Sequence, residues 1–158
     1  MTTIEAVNAE PPPLRGIRGW LLVLAIGQVL SLLVSFINFV DYYTVATNLH
    51  AFQTIPIAAI GELVLHLGVF TVIIYTTVAL FGHKRTFRAA YTAQAIAVGS
   101  FLLVDLLWVL ATTQVVHPDM LGKAVAKAWT TAIAVAIGSA PWLAYIYRSR
   151  RVANTFNR

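Results

Sequence analysis

The chain has 158 residues, 59% of them hydrophobic and 11% charged, with a mean hydropathy of +0.77. A soluble domain carries about 25% charged residues, so this composition excludes a protein with water on all sides. Apolar windows take up nearly the whole length and leave no room for a soluble catalytic domain. The lack of cysteine excludes disulfides and thiolate metal or redox sites. The net charge of +5 does not imply nucleic acid, because the basic residues stand at the ends of apolar segments, where membrane topology puts them.

Taken in order, residues 1–18 read as a short flexible cytoplasmic tail. It holds Glu5, Glu10 and the run Pro11, Pro12, Pro13, and it lacks the basic start and cleavage site of a secretory signal. The first predicted span covers about residues 19–40, with Arg15 and Arg18 before it and Trp20 at the interface. Its polar residues Gln28, Ser31, Ser35 and Asn38 fall within roughly 80° of one another on a helix. So narrow a stripe should face the bundle interior, since lipid cannot hydrogen-bond it. Residues 41–55 read as a polar connection holding Tyr42, Tyr43 and His50 but no Lys or Arg. The second span, residues 56–81, opens on a proline at the tolerated first turn. Residues 82–88 form a tight basic turn with Lys84, Arg85 and Arg88. The third span, 89–113, carries Gln94 and Asp105; a short loop with His117, Pro118 and Asp119 leads to the fourth, 122–147. Residues 148–158 read as a basic cytoplasmic tail with Arg148, Arg150 and Arg151.

The expected fold is thus an all-α membrane protein, a four-transmembrane-helix bundle. Nine Lys and Arg flank the first span, the middle turn and the C-terminal end, against Lys123 and Lys127 alone on the other side. The positive-inside rule then puts both termini and the middle turn in the cytoplasm. Lys84, Arg85, Arg88, Arg148, Arg150 and Arg151 serve as topology anchors, and the last cluster reaches the lower edge of what anionic-lipid recognition uses. Ala124, Ala128, Ala132, Ala136 and Ala140 recur every fourth position, as do Ala89, Ala93 and Ala97. Such rows let helices approach closely, either within the chain or against a partner protein or second copy. Gly138 and Pro141 are expected to bend the fourth helix.

The entry GIRGWLLVLAIGQVLSLL and the exit from Trp142 through SRRVANTF resemble domain-of-unknown-function family 2569. The matching features are Gly19, Trp20 and Leu21 at the head, and Ser149, Arg151, Val152, Thr155 and Phe156 at the tail. Arg150 and Ala153 stand where that family often has lysines, and Leu32 where a proline is common. The resemblance implies a small polytopic protein of the bacterial inner membrane, and it carries no activity.

Ionisable residues within a span are costly, about 2.5–3.5 kcal/mol each on insertion scales, and so are functional candidates. At 1.5 Å per residue, Glu62 lies about 9 Å and His66 about 15 Å from the outer end of the second helix, and Asp105 about 12 Å below the exit of the third. Lys127 lies about one turn inside the fourth helix, with Ser35 and Asn38 in the outer half of the first. One polar cluster of Glu62, His66, Asp105, Lys127, Ser35 and Asn38 in the outer half is therefore expected. It serves either as a latch, with Glu62 or Asp105 paired to Lys127, or as a proton or ion site. One His and one Glu are too few for zinc, and no second intramembrane His is present for haem, so no metal or cofactor is expected. No phosphate-binding loop or nucleophile elbow occurs. The expected role is a non-catalytic accessory or interaction subunit of a larger membrane complex, the alternative a small transporter or ion-coupled protein.

Overall fold

In the computed structural model of the chain, residues 15–113 and 118–156 are described. The tail over 1–14, the loop over 114–117 with His117, and residues 157–158 lie outside them, as do the side chains of residues 118–120. The described chain forms, in order, α1 (Trp20–Asn48), the single turn α2 (Ala51–Thr54), α3 (Pro56–Phe81), α4 (Phe87–Thr113), α5 (Pro118–Arg148) and the short α6 (Arg150–Thr155). Four of these, α1, α3, α4 and the Leu121–Arg148 part of α5, are long and apolar enough to cross a membrane. The protein is an all-α, multi-pass membrane protein.

Helix α1 does not stop near Val40. Its 29 residues span about 43 Å, well beyond a hydrocarbon core of about 30 Å. Nothing between Val40 and Asn48 breaks a helix, since there is no Gly or Pro there, and Asp41, Tyr42 and Tyr43 are tolerated once the helix is in the interface. The turn comes where His50 adopts a left-handed φ of 52°. α2 follows, and Pro56 then occupies the first turn of α3, where its missing N–H is no loss. α3 ends in a tight reversal. The His83 N–H bonds to the Leu80 carbonyl at 3.2 Å and the Lys84 N–H to the Ala79 carbonyl at 2.9 Å, with His83 itself left-handed at φ 52°. This paired closure satisfies two orphan carbonyls of the helix end. α5 runs through Pro141 to Arg148 as one helix.

The helices pack in a row, α1 on α3, α3 on α4 and α4 on α5, and α1 and α5 share no contact of comparable extent. The core gathers at the end that carries the basic residues. Leu21, Leu24, Leu80, Phe87, Ile146, Val152 and Phe156 are buried there together. Elsewhere the surface is apolar, with Ile57, Leu107 and Ile137 about two-thirds exposed, as a lipid-facing surface requires.

Within residues 148–158, expected as a basic cytoplasmic tail, the described part beyond Arg148 forms a short helix docked on the bundle. Ser149 caps α6, its hydroxyl accepting from the Val152 N–H at 3.4 Å. Val152 is fully buried, and the Phe156 ring stacks on Phe87 at 4.4 Å. The Thr155 hydroxyl accepts a bond from the Gly16 N–H at 3.0 Å. The chain entering α1 is thereby held by the chain leaving α5, and Trp20 meets Trp142 edge-on at 6.5 Å. Gly19, at φ 59° and ψ −136°, lies in a region open only to glycine, which explains why that residue precedes Trp20. The head and tail features that carried the family resemblance are the two halves of one junction.

Candidate functional site

Two helices, α1 and α4, converge on α3 at the end away from the basic residues. The Tyr42 hydroxyl, on α1, donates to the Ala59 carbonyl at 2.7 Å, and the Trp108 indole N–H, on α4, donates to the Ala58 carbonyl at 3.2 Å. Ala58 and Ala59 are buried, and their small side chains allow this approach. Gly61 does the same for the Trp108 ring, because a Cβ there would lie 2.0 Å from the indole nitrogen.

One turn further along α3, His66 sits between two rings, stacked on Tyr42 at 4.5 Å and edge-on to Phe101 at 4.7 Å. Its Nδ1 donates to the Glu62 carbonyl at 2.9 Å, since a carbonyl can only accept. Nε2 is then the nitrogen available to other groups. Glu62 stands one turn from His66 on α3 and Asp105 one turn from Phe101 on α4, so the His66–Phe101 contact sets three of the ionisable residues picked out by depth in one neighbourhood. Tyr42 joins them through its ring on His66, its hydroxyl donating to the Ala59 carbonyl. The Asp105 Oδ1 is buried and has no hydrogen-bond partner. Two carboxyls, an imidazole and a phenol in one place are chemistry for holding or passing a proton. Among the described residues, no group of three His, Cys, Asp or Glu could hold a metal ion.

The other expected members are placed differently. Lys127 is exposed. With Ser35 and Asn38 it lines a neighbouring cleft between α1 and α5, of about 480 Å³, whose wall also includes His66. His66 thus belongs to both places. The cleft continues toward the basic end as a second hollow of about 390 Å³ that shares Ser31 and reaches Trp142.

A further polar tie joins the three helices beside this second hollow. Gln28 and Gln94 exchange side-chain hydrogen bonds at 2.8 and 3.2 Å, and Gln28 also donates to the Thr77 hydroxyl at 3.2 Å. Both glutamines are buried. Each was visible as a polar residue in an apolar span, yet nothing in the spacing along the chain shows that they meet. Tyr42 escaped attention because it was assigned to a connection.

Of the basic anchors, Lys84, Arg85, Arg148 and Arg150 are exposed, while Arg88 and Arg151 are half-buried. Among the α5 alanines, Ala128 is buried, and Ala132, Ala136 and Ala140 line the seam with α4, where Gly99 lets the two helices come close to Val135. A second row of small residues, Gly122, Ala126, Thr130, Ala134 and Gly138, is exposed on another face.

The family described as Protein of unknown function (DUF2569) matches residues 14–157, which takes in every helix above. The chain belongs to this family. No curated protein and no solved structure matches it. The match runs from the Gly16 junction through Phe156, so it includes the docked C-terminal helix as well as the spans.

Proposed function

We propose that this protein has no catalysis of its own and acts as an accessory or interaction subunit of a larger membrane assembly. One observation carries this reading. α5 is the least apolar of the four spans, with a mean hydropathy of 1.3 against 2.1–2.4 for the others, and among the spans it packs extensively on α4 alone. Its free face turns the row from Gly122 to Gly138 outward. Small residues every four positions give a partner helix the close approach that drives association in lipid. The test is gentle purification from native membranes, followed by identification of stoichiometric partners. A partner present with the wild type and lost with Ala134→Phe supports the reading. A chain that runs alone, or a partner retained by Ala134→Phe, refutes it.

The second reading is a small proton- or ion-coupled protein, favoured by the partnerless Asp105 oxygen beside Glu62 and His66. Flux in proteoliposomes that is lost in Asp105→Asn would support it, and equal flux in wild type and variant would remove the cluster from the mechanism.

The orientation we propose puts both termini in the cytoplasm and the protein in a bacterial inner membrane, on the nine-to-two bias of Lys and Arg. Reporter fusions at Arg85 and Arg158 should both read cytoplasmic, and a periplasmic signal at either overturns this topology.

A further inference from the structure

We infer that the cleft between α1 and α5 is a binding site for one anionic phospholipid, its phosphate held by Lys127 and an acyl chain lying in the cleft. The inference does not rest on the accessory-subunit reading, and it concerns the side of α5 that Lys127 and Thr131 turn toward α1.

The cleft has room for a lipid chain. Along α1 it runs from Ser31 to Asn38, about 10 Å at 1.5 Å per residue. Its volume of about 480 Å³ therefore corresponds to a cross-section of about 50 Å². An extended hydrocarbon chain, set by carbon contacts of about 4 Å, takes about 20 Å², so one or two chains fit.

The chemistry of the wall is layered as a lipid is. The Leu121–Arg148 span of 28 residues is about 42 Å long. Centred on a hydrocarbon core of about 30 Å, it puts the Lys127 backbone only about 3 Å inside the boundary. Lys127 is exposed, and a lysine stem so placed carries its ammonium out to the phosphate level. Asn38, by the same count on α1, lies about 8 Å below the boundary, and Ser35 about one turn deeper. An amide and a hydroxyl at those depths are donors for the ester carbonyls of a lipid. Beyond them the wall is mainly apolar, with Val69, Ile73, Val98 and Leu102 lining the hollow alongside the Ser31 hydroxyl. Cation, then neutral donors, then hydrocarbon is the order of phosphate, ester and acyl chain. Polar groups facing a cleft open to lipid need partners, and such a molecule supplies them.

The full chain is reconstituted in nanodiscs of phosphatidylglycerol and phosphatidylcholine in equal amounts, then released into mild detergent. Retained lipids are counted by native mass spectrometry. The wild type should hold one phosphatidylglycerol that Lys127→Gln holds about five-fold less, the ratio one cation near the surface is worth. Lys123→Gln should retain it. Val34→Trp, at an exposed α1 position lining the cleft, should fill the space and expel that lipid whatever its headgroup. Lipid bound at the basic collar is recognised by its persistence in Lys127→Gln and its loss in Arg148→Gln. Three results overturn the inference: equal retention of the two lipids by the wild type, a retained phosphatidylglycerol indifferent to Lys127→Gln, or lipid still held in Val34→Trp. A second copy or partner protein, displaced by Val34→Trp in place of lipid, also overturns it.

Discussion

Substituting Phe156→Ala should release the C-terminal helix from the bundle without unfolding the spans. Phe156 is 5% exposed and stacks on Phe87 with centroids 4.4 Å apart and planes 25° from parallel. Truncating a buried phenylalanine costs about 3–5 kcal/mol, part of which is the stacking itself. α6 has six residues and docks through few side chains, chiefly Val152, Thr155 and Phe156, so the loss falls on local opening and not on the spans. At the lower figure, about 3 kcal/mol, the open population rises by roughly 150-fold. The chain contains no cysteine, so a single introduced thiol reports on this segment alone. Val152 is fully buried, and in the Val152→Cys background maleimide should react slowly. Phe156→Ala should accelerate that reaction by about two orders of magnitude. The exposed Asn154→Cys should label rapidly in both backgrounds and serves as the reference. Fast labelling of Val152→Cys with Phe156 intact, or an acceleration below about ten-fold, would refute the docking argument.

Two further substitutions probe the interior. Gln94→Leu takes the donor from the buried Gln28 Oε1, whose Nε2 keeps Thr77, and should cost about 1–3 kcal/mol in thermal or denaturant unfolding, while Gln28→Leu with Gln94→Leu should recover much of that loss; equal costs for the single and double variants would contradict the pairing. Gly61→Ala drives a methyl into the Trp108 ring and should lower stability by about 1–3 kcal/mol, an effect that Trp108→Ala should largely abolish in a double-mutant cycle.

Much of the axial arrangement was legible along the chain. Hydropathy located four spans, and counting residues at a fixed rise placed Glu62, His66 and Asp105 at comparable depth, where the structure brings them into one neighbourhood. Lys127 shares that depth and yet lines a different hollow, because depth says nothing about which way around a helix a side chain points. Tyr42 was missed because a run of polar residues was taken to end a helix that continues to Asn48. α6 was missed because six residues are too few to show a period against a basic background, although Val152, Thr155 and Phe156 do stand at helical spacing.

The amino-acid sequence by itself determined the solvent, the number of crossings and the height of each polar group, since all three follow from transfer energies and a constant rise per residue. Tertiary structure alone decided rotation and neighbourhood: that Gln28 meets Gln94, that α1 and α5 touch at Trp20 and Trp142 without packing extensively, and that the two chain ends close on each other through Gly16 and Thr155. In lipid an apolar side chain gains little by choosing one helical face over another, so the azimuth of each helix is set by shape and by a handful of hydrogen bonds, which exist only once the helices have met.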